Sequence, residues 1–348
     1  MVTTKKKIYQ GEIILEREFI RVSIGTAAAI GLVRIKVKAL PTTAYLMTYS
    51  ENKCTANCIF CAQARESKMN NDYLSRVIWP KYPLDEVIEK INEAINNRKI
   101  FRICVQTINI PNLMNILEYQ LEKIATKIKG KVPLSLAIHP ISRKDMKRLK
   151  KLGVSDLSIS FDAVTPEIFE KIKGKSTGNN YTWEGHWRAL LDALDIYGKW
   201  HVSTHIIIGF GESERDAINF LQKMNDLGVI VGIMALTPIR GTKIENMKPP
   251  DISSYRKIQL AYYLIRHKIT NFEKMTFDDS GNLLDFGVSK EILKKVIKSG
   301  YPFITTGCSY CNRPYYNESP SGIIYNFPMR PDEEDIRRIR KELGVEDE

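Results

Sequence analysis

The chain has 348 residues, of which 43% are hydrophobic and 26% are charged, as in globular proteins that bury a substantial core. No apolar run approaches the roughly 18 residues of a membrane span, and residues 1–7 lack the apolar segment of a signal peptide. We therefore exclude a membrane protein and expect a cytoplasmic one. The net charge of +12 favours acidic partners, either nucleic acid or a carrier protein, although lysines on solvated helix faces explain it equally well.

Three of the six cysteines fall within eight residues, in the segment SENKCTANCIFC (50–61). Cys54, Cys58 and Cys61 have the spacing C-x3-C-x2-C, and Phe60 precedes the third. Three thiolates can hold three irons of a [4Fe–4S] cube and leave the fourth iron open to a small molecule. A structural zinc site needs four ligands, and no His or fourth Cys is close in the sequence. The spacing therefore predicts an iron–sulfur cluster rather than a zinc site.

This loop, with Phe60 in place, resembles the cysteine loop of radical S-adenosylmethionine (SAM) enzymes. The resemblance implies that the open iron binds the amino and carboxyl groups of SAM. It also implies that one electron from the cluster cleaves SAM to a 5′-deoxyadenosyl radical. A ferredoxin-like protein is the expected electron donor.

Apolar segments at strand and helix spacing alternate along the rest of the chain. The predicted strands are 44–50, 100–108, 134–138, 157–161, 202–208, 230–236, 274–277 and 303–306. The predicted helices are 85–97, 113–129, 144–152, 184–197, 213–227, 253–267 and 289–298, with 337–343 as a short closing helix. Eight alternating strands predict an α/β protein with a closed, TIM-type (β/α)8 barrel. We assign residues 41–312 to the barrel, 1–40 to a short N-terminal extension and 313–348 to a C-terminal tail. A partial barrel of six strands with an appended C-terminal unit is the alternative.

The cysteines are placed where such barrels carry active sites, at the carboxyl ends of strands. The first three follow strand 1, Cys104 lies in strand 2, and Cys308 and Cys311 follow strand 8. These strands would be neighbours in a closed barrel, so we expect all six thiols to converge on one mouth. The predicted catalytic residues are Cys54, Cys58, Cys61, Cys308 and Cys311.

Cys104, Cys308 and Cys311 are the predicted ligands of a second, auxiliary iron–sulfur cluster, with [4Fe–4S] as its favoured form. A C-x2-C pair typically presents two thiolates to one metal centre. For Cys104 alone, the role of a small buried hydrophobe is the alternative. The candidates for a fourth ligand are Ser309, Ser203 and Arg313.

Two segments that end strands 4 and 5 are candidates for contact with the nucleoside of SAM. SISFD (158–162) places Ser160 and Asp162 where a ribose could be hydrogen-bonded. THIIIGFGES (204–213) adds His205, Gly209 and Glu212, with glycines that let the backbone approach a ligand. An ordinary turn with a helix N-cap is the alternative for residues 209–213. Phe60 is the remaining predicted cofactor contact.

Across about residues 44–312 the chain resembles the biotin-synthase branch of radical SAM enzymes. The resemblance is carried by the cysteine loop and by SISFDAVTPE (158–167), IIIGFGES (206–213) and ALTPIRGTKIEN (235–246). Biotin synthases build a sulfide-donating [2Fe–2S] cluster from cysteines on strands 2, 3 and 5 and an arginine on strand 7. Cys104 matches the strand 2 position, but the next two positions are Ser135 and Ser203. This departure counts against biotin synthase proper and favours Cys308 and Cys311 as the replacement.

Two segments, CTANCIFCAQARES (54–67) and GCSYCNRPYYNESPSGIIYNFPMRP (307–331), resemble the biotin-synthase-like subunit of two-component lipoyl synthases known mainly from archaea. The resemblance implies sulfur insertion at C6 or C8 of an octanoyl chain on a carrier-protein lysine. The implied partners are an octanoylated lipoyl carrier, either H protein or an E2 lipoyl domain, and a second radical SAM subunit. No nucleic-acid partner is expected.

Two alternatives remain. One is another radical SAM sulfur or methyl transferase acting on a small molecule, such as a divergent biotin synthase. It is favoured if the tail after Pro314 closes the barrel mouth. The more remote one is a basic, zinc-binding nucleic-acid protein.

Overall fold

The computed structural model describes residues 16–319 and 321–345, so residues 1–15 of the predicted N-terminal extension lie outside the described residues. The strands are β1 (Phe19–Val22), β2 (Thr43–Thr48), β3 (Tyr73–Leu74), β4 (Val77–Ile78), β5 (Lys81–Pro83), β6 (Arg102–Gln106), β7 (Leu134–Ala137), β8 (Asp156–Ser158), β9 (Val202–Ile208), β10 (Val229–Ala235), β11 (Thr276–Phe277) and β12 (Leu283–Asp285). The helices are α1 (Ile24–Ala29), α2 (Leu84–Asn96), α3 (Leu113–Ile128), α4 (Arg143–Lys151), α5 (Pro166–Ile172), α6 (Trp183–Tyr197), α7 (Glu214–Leu227), α8 (Ile252–Arg266), α9 (Lys290–Ser299) and α10 (Glu333–Glu342).

The centre of the fold is an eight-stranded sheet with the order β10-β9-β8-β7-β6-β2-β1-β5. The six strands from β10 to β2 are parallel, and β1 and β5 continue the sheet in antiparallel pairing. All six residues of β2 are buried, as expected for a parallel strand covered on both faces. The predicted TIM-type α/β architecture is confirmed. The division of the chain at residues 40 and 312 stays a prediction, although β1, from the assigned extension, pairs with β2.

The helices follow the apolar spacing of the sequence. All seven predicted helices of the barrel region are present with ends shifted by at most one residue. In α2, for example, Leu84, Val87, Ile88 and Ile91 are buried, which is the three-to-four-residue repeat of a helix packed on a sheet. None of the helices in the described ranges joins the length of a bilayer span to a sufficiently apolar sequence.

The last two predicted strands lie outside the large sheet, which corrects the prediction of eight parallel strands to six. Thr276 and Phe277 pair with β12 in a separate hairpin, because Gly281 donates its N–H to Asp278 O at 3.0 Å and turns the chain back. Tyr301–Phe303 is a 3-10 turn with Pro302 at its start, and Ile304 then forms an isolated parallel bridge with Phe327 instead of joining the large sheet. The observed arrangement is the six-stranded alternative with an appended C-terminal unit.

The C-terminal unit has a small core of its own. Its buried residues are Leu260, Leu264, Ile297, Phe303, Phe327 and Ile339. The closing helix α10 begins earlier than the predicted 337–343, because the side chain of Asp332 accepts the N–H of Asp335 and caps the first turn.

Arg256 of α8 joins the parts of this unit. Its guanidinium is fully buried and forms an ion pair with Glu342 at 2.8 Å. It also donates to Gln259 Oε1 at 2.8 Å and to the carbonyl oxygens of Ile324 and Tyr325, both at 2.5 Å. Removal of the guanidinium takes a donor from each of these acceptors, although Tyr325 O keeps the contact from Gln259 Nε2 at 3.0 Å and Glu342 keeps its ion pair with Arg338.

We expect Arg256→Ala to lower the free energy of unfolding by about 3–5 kcal/mol, the usual loss when one partner of a buried ion pair is removed. Urea unfolding followed by circular dichroism measures this change. Arg338→Ala is the matched control, because its side chain is 48% exposed and its ion pairs are expected to contribute less than about 1 kcal/mol. Equal effects of the two substitutions would contradict the role assigned to Arg256.

Candidate active site

The first cysteine group lies in the loop after β2, at the carboxyl end of the parallel strands. Cys54, Cys58 and Cys61 line one cavity of about 290 Å³. The backbone N–H of Asn109 donates to Cys54 Sγ at 3.1 Å, and the side-chain amide of Asn179 donates to Cys58 Sγ at 3.8 Å. Such donors stabilise the thiolate form that binds iron. The three predicted ligands are thus brought together.

Burial changes the acid–base chemistry of these three thiols. Burial raises the pKa of all three thiols, that of Cys58 to about 12, so a thiolate needs adjacent positive charge such as iron supplies. Within residues 16–319 and 321–345, no three His, Cys, Asp or Glu side chains converge enough to share one ion. The thiolates of a [4Fe–4S] cube bind different irons and stand further apart than the ligands of one zinc ion.

Four of the predicted cofactor contacts line the same cavity, namely Phe60, Ser160, Asp162 and His205. Ser160 Oγ and His205 Nδ1 are 3.0 Å apart and share a hydrogen bond. Burial lowers the pKa of His205 to about 3, so its imidazole is neutral near pH 7. Asp162 adopts a left-handed backbone with φ +61°, which turns the chain at the end of the strand. The nucleoside contacts themselves stay predictions.

Gly209 and Glu212 have a visible structural role instead. The carboxylate of Glu212 accepts the backbone N–H of Gly209 at 2.5 Å and that of Phe210 at 3.1 Å. Gly209 has φ +124°, and a Cβ there would lie 2.9 Å from Leu236 Cβ. Neither residue is among those that line the cavity. Their turn orients the chain before α7, and a contact with SAM stays a prediction.

Lys173, at the end of α5, is a cavity residue that sequence reasoning missed. Its side chain is only 9% exposed, and its ammonium is 2.6 Å from Asp162 Oδ2 and 2.5 Å from Ser160 O. Lys173 was not predicted as a site residue, because the sequence pattern did not predict α5. The signal was Thr165-Pro166 after the SISFD segment, since Thr165 caps α5 and Pro166 opens it.

We expect Lys173→Gln to weaken SAM binding by about ten- to a hundredfold, because the Asp162 carboxylate would then stay buried without its cation. Equilibrium dialysis of labelled SAM against the iron-loaded protein measures this. Lys171→Gln, on the exposed side of the same helix, is the control and should bind SAM as the parent protein does. Unchanged affinity in Lys173→Gln would remove the residue from the SAM site.

The second cysteine group consists of Cys104, Cys308 and Cys311 and lies towards the amino ends of the strands. It is called the lower cysteine group below. Cys104 on β6 pairs in register with Tyr45 on β2. The Tyr45 hydroxyl donates to Cys311 Sγ at 3.4 Å, and the N–H of Cys311 donates to Cys308 O at 3.0 Å. Burial raises the pKa of the Cys104 thiol, and Cys311 and Cys308 raise it further. Cys104 and Cys311 line the same cavity as the first cysteine group.

The two groups approach from opposite ends of the strands, so the predicted convergence of all six thiols on one mouth is wrong. The loop with Cys308 and Cys311 contacts the first residues of β2 and β6: Tyr310 O accepts the hydroxyl of Thr43 at 2.8 Å, and Ser309 O accepts Arg102 Nε at 2.9 Å. The cause is that predicted strand 8 is absent from the large sheet. The loop that follows it therefore does not lie at the carboxyl ends of the strands.

The candidates for a fourth auxiliary ligand differ in their surroundings. The hydroxyl of Ser309 accepts Arg102 Nη2 at 2.9 Å, and Ser203 is buried on β9. Arg313 is buried and lines the cavity, its Nη2 donates to Thr306 O at 2.8 Å, and its Nη1 has no hydrogen-bond partner among the described residues. Which of them binds iron stays a prediction.

The tail after Pro314 forms part of the cavity wall. Tyr316 and Asn317 line the cavity. The hydroxyl of Tyr316 donates to Gln106 Oε1 at 3.4 Å, and the amide of Asn317 donates to Thr237 Oγ1 and Ser75 Oγ, both at 3.4 Å. The tail thus runs from the lower cysteine group towards the carboxyl ends of the strands.

Comparisons with known proteins agree with this geometry. The family model of the radical SAM superfamily matches residues 50–224. A biotin synthase of Methanococcus maripaludis is 27% identical over 202 residues, 57% of each chain. A biotin synthase of Methanocaldococcus jannaschii is 26% identical over 279 residues, 67% of this chain and 72% of that protein. The match thus spans less than two thirds of the length of the Methanococcus maripaludis protein.

Among solved structures, the FeFe-hydrogenase maturase HydG from Carboxydothermus hydrogenoformans has a TM-score of 0.50 and 19% identity. The match covers 87% of this chain and 67% of that one. This likeness supports the fold. The family match covers half of the chain and includes the three-cysteine loop and strands β6 to β9 of the parallel sheet. The chain therefore belongs to the radical SAM superfamily.

Proposed function

We propose that this chain inserts sulfur into an octanoyl chain carried on a protein lysine, as one component of a lipoyl synthase. The observation that carries the proposal is a single cavity lined by Cys54, Cys58 and Cys61 at one end and by Cys104 and Cys311 at the other. A reaction that exchanges hydrogen for sulfur needs both groups to face the same carbon. Proximity of that kind is a large part of catalysis.

The bound groups divide the chemistry between the two ends of the cavity. When bound, SAM and its cluster supply the radical that removes a hydrogen atom, and the auxiliary centre supplies the sulfide that replaces it and accepts one electron. The protein's part is to hold the reacting carbon between them and to keep water out. The side chains between the two ends are mainly apolar, namely Met47, Leu74, Ile207, Met234, Ile239 and Ile244. Such a wall suits an alkyl chain.

The proposed partners follow from the substrate. An octanoylated lipoyl carrier, a second radical SAM subunit and a ferredoxin-like donor would each have to dock on the outer surface. The net charge of +12 supports docking of acidic proteins through long-range attraction.

A second candidate is a small-molecule sulfur transferase, such as a divergent biotin synthase. Two observations favour it: the curated relatives at 26–27% identity are biotin synthases, and Tyr316 and Asn317 of the tail form part of the cavity wall. A wall closed by the tail leaves less room for a substrate attached to a protein.

One anaerobic experiment separates the two candidates. The protein is loaded with iron and sulfide and given reductant and SAM. Separate samples then receive an octanoyl-lysine peptide or the sulfur-free precursor of biotin. 5′-Deoxyadenosine and product mass are read together. A peptide that gains one sulfur, with the second requiring another protein, supports the lipoyl proposal. SAM cleavage with sulfur only in the biotin precursor would replace it with the second candidate.

A further inference from the structure

Residues 307–313, here called the floor loop, close the end of the barrel opposite the SAM site. On its inner side the loop places Cys311 against Tyr45, whose hydroxyl donates to Cys311 Sγ at 3.4 Å and which pairs in register with Cys104, and the N–H of Cys311 donates to Cys308 O at 3.0 Å. On its outer side the ring of Tyr310 is 55% exposed and stacks on Phe101 with ring centres 5.1 Å apart. The floor loop therefore covers this end of the cavity, with Cys308 and Cys311 themselves partly exposed.

Polar contacts at the rim of the barrel hold the floor loop in place. Tyr310 O accepts two hydroxyl groups, from Thr42 at 2.6 Å and Thr43 at 2.8 Å. The amide of Asn312 accepts the N–H of Thr42 at 3.1 Å and donates to Leu40 O at 3.0 Å. Contacts of this kind can break and re-form as a unit, whereas an interdigitated apolar core cannot.

Arg102 is the centre of this attachment. Its buried guanidinium is fixed from the barrel side by Asp156 Oδ2 at 2.9 Å and Ser135 Oγ at 2.5 Å. On the loop side, Nε and Nη2 donate to the carbonyl and the hydroxyl of Ser309, both at 2.9 Å. A planar guanidinium oriented in this way fixes both the position of the loop and its distance from β6. Arg102 is thus a positioning residue for Cys308 and Cys311.

The backbone of the floor loop is strained. Tyr310 has φ +66° and Arg313 has φ +32°, in a region that costs free energy for residues with a Cβ. Such conformations persist only where the surroundings determine them. Release of the polar contacts would let the loop relax, so the closed state depends on Arg102, Thr42 and Thr43.

We propose that the floor loop is a releasable closure, latched by Arg102, through which iron and sulfide reach Cys104, Cys308 and Cys311 without passing the SAM site. This inference rests on the auxiliary centre of the proposed function, since a centre that gives up sulfide must be resupplied. The carboxyl end of the cavity would be occupied by SAM and substrate, and the floor is the other end.

The first test is thiol labelling of the metal-free chain under anaerobic conditions. Maleimide modification of each cysteine is followed by mass spectrometry in the parent protein, in Thr42→Val/Thr43→Val and in Arg102→Lys. Loss of two hydroxyl hydrogen bonds should speed modification of Cys104, Cys308 and Cys311 by about tenfold. Cys54, Cys58 and Cys61 should react at unchanged rates. Thr270→Val, which removes a comparable hydroxyl contact to Phe286 O in the C-terminal unit, should change none of the six.

The second test measures uptake of iron and sulfide in chains whose first three cysteines are replaced by alanine. Absorbance of the auxiliary centre should then develop faster in the threonine double variant, by the same factor as the labelling. Equal acceleration of all six thiols, or none, would overturn the closure. Faster labelling with slower uptake would overturn the loading route. Neither readout requires sulfur insertion, so failure of the proposed function would be seen separately in the peptide assay.

Discussion

Cys58→Ala is expected to abolish SAM cleavage, whereas Cys311→Ala is expected to leave SAM cleavage intact and abolish sulfur insertion. The reason is that five of the six thiols line one cavity in two groups, Cys54, Cys58 and Cys61 in one and Cys104 and Cys311 in the other. Loss of Cys58 removes one of three ligands from a cluster that has no fourth protein ligand in its loop. Loss of Cys311 removes a thiol that contacts Tyr45, the register partner of Cys104, away from the SAM end.

The measurements are iron content, 5′-deoxyadenosine and product mass for each variant. Each variant should lose the iron of one centre and keep that of the other, so the paired variants are each other's control. Loss of SAM cleavage in Cys311→Ala would mean that the two groups do not act separately. Sulfur insertion by Cys311→Ala at the parent rate would remove the auxiliary centre from the reaction.

Much of the fold and of the first cysteine group could be predicted from the sequence. Amphipathic spacing predicted seven helices of the barrel region to within one residue and missed α5, because burial of one face of a long helix leaves a strong periodic pattern. The cysteine loop was predicted because its ligands are consecutive along the chain. Residues close in sequence form a recognisable motif before any tertiary structure is known.

The parts that were missed depend on contacts between distant segments. Residues 303–306 have the composition of a strand, and the pattern alone did not reveal that Ile304 pairs with Phe327 and not with the large sheet. Arg102 and Asp156 are far apart in the sequence, and their ion pair at 2.9 Å exists only once the strands are side by side. The position of the lower cysteine group depends on the missing strand and on the contacts of Arg102. The prediction therefore placed this group at the wrong end of the strands.

Gly232→Ala is expected to lower the iron content of the auxiliary centre and to leave SAM cleavage largely intact. Gly232 on β10 pairs in register with His205 on β9. A Cβ on Gly232 would lie 2.6 Å from His205 Cδ2 and 3.0 Å from Arg313 Nη1. Overpacking of a buried site by one methyl group typically costs about 1–3 kcal/mol. This strain is relieved when the neighbour that moves more easily shifts away.

Arg313 should be the neighbour that moves. The His205 ring is held by its hydrogen bond with Ser160 at 3.0 Å, whereas the Arg313 guanidinium is held through Nη2, and Nη1 has no partner in the part of the chain that the structure describes. The backbone N–H of Arg313 donates to the Tyr45 hydroxyl at 3.0 Å, and that hydroxyl contacts Cys311. A displaced Arg313 therefore disturbs the lower cysteine group first. Iron analysis and 5′-deoxyadenosine yield separate the two effects.

Gly25→Ala is the matched control for this substitution, because its Cβ would meet Pro41 at an ordinary 3.7 Å. Parent-like iron content and sulfur insertion in Gly232→Ala would show that Arg313 does not shape the auxiliary centre. Loss of SAM cleavage with full auxiliary iron would instead mean that His205 moved. The absence of a side chain at residue 232 makes room for both groups, so their relative stiffness decides which centre is lost.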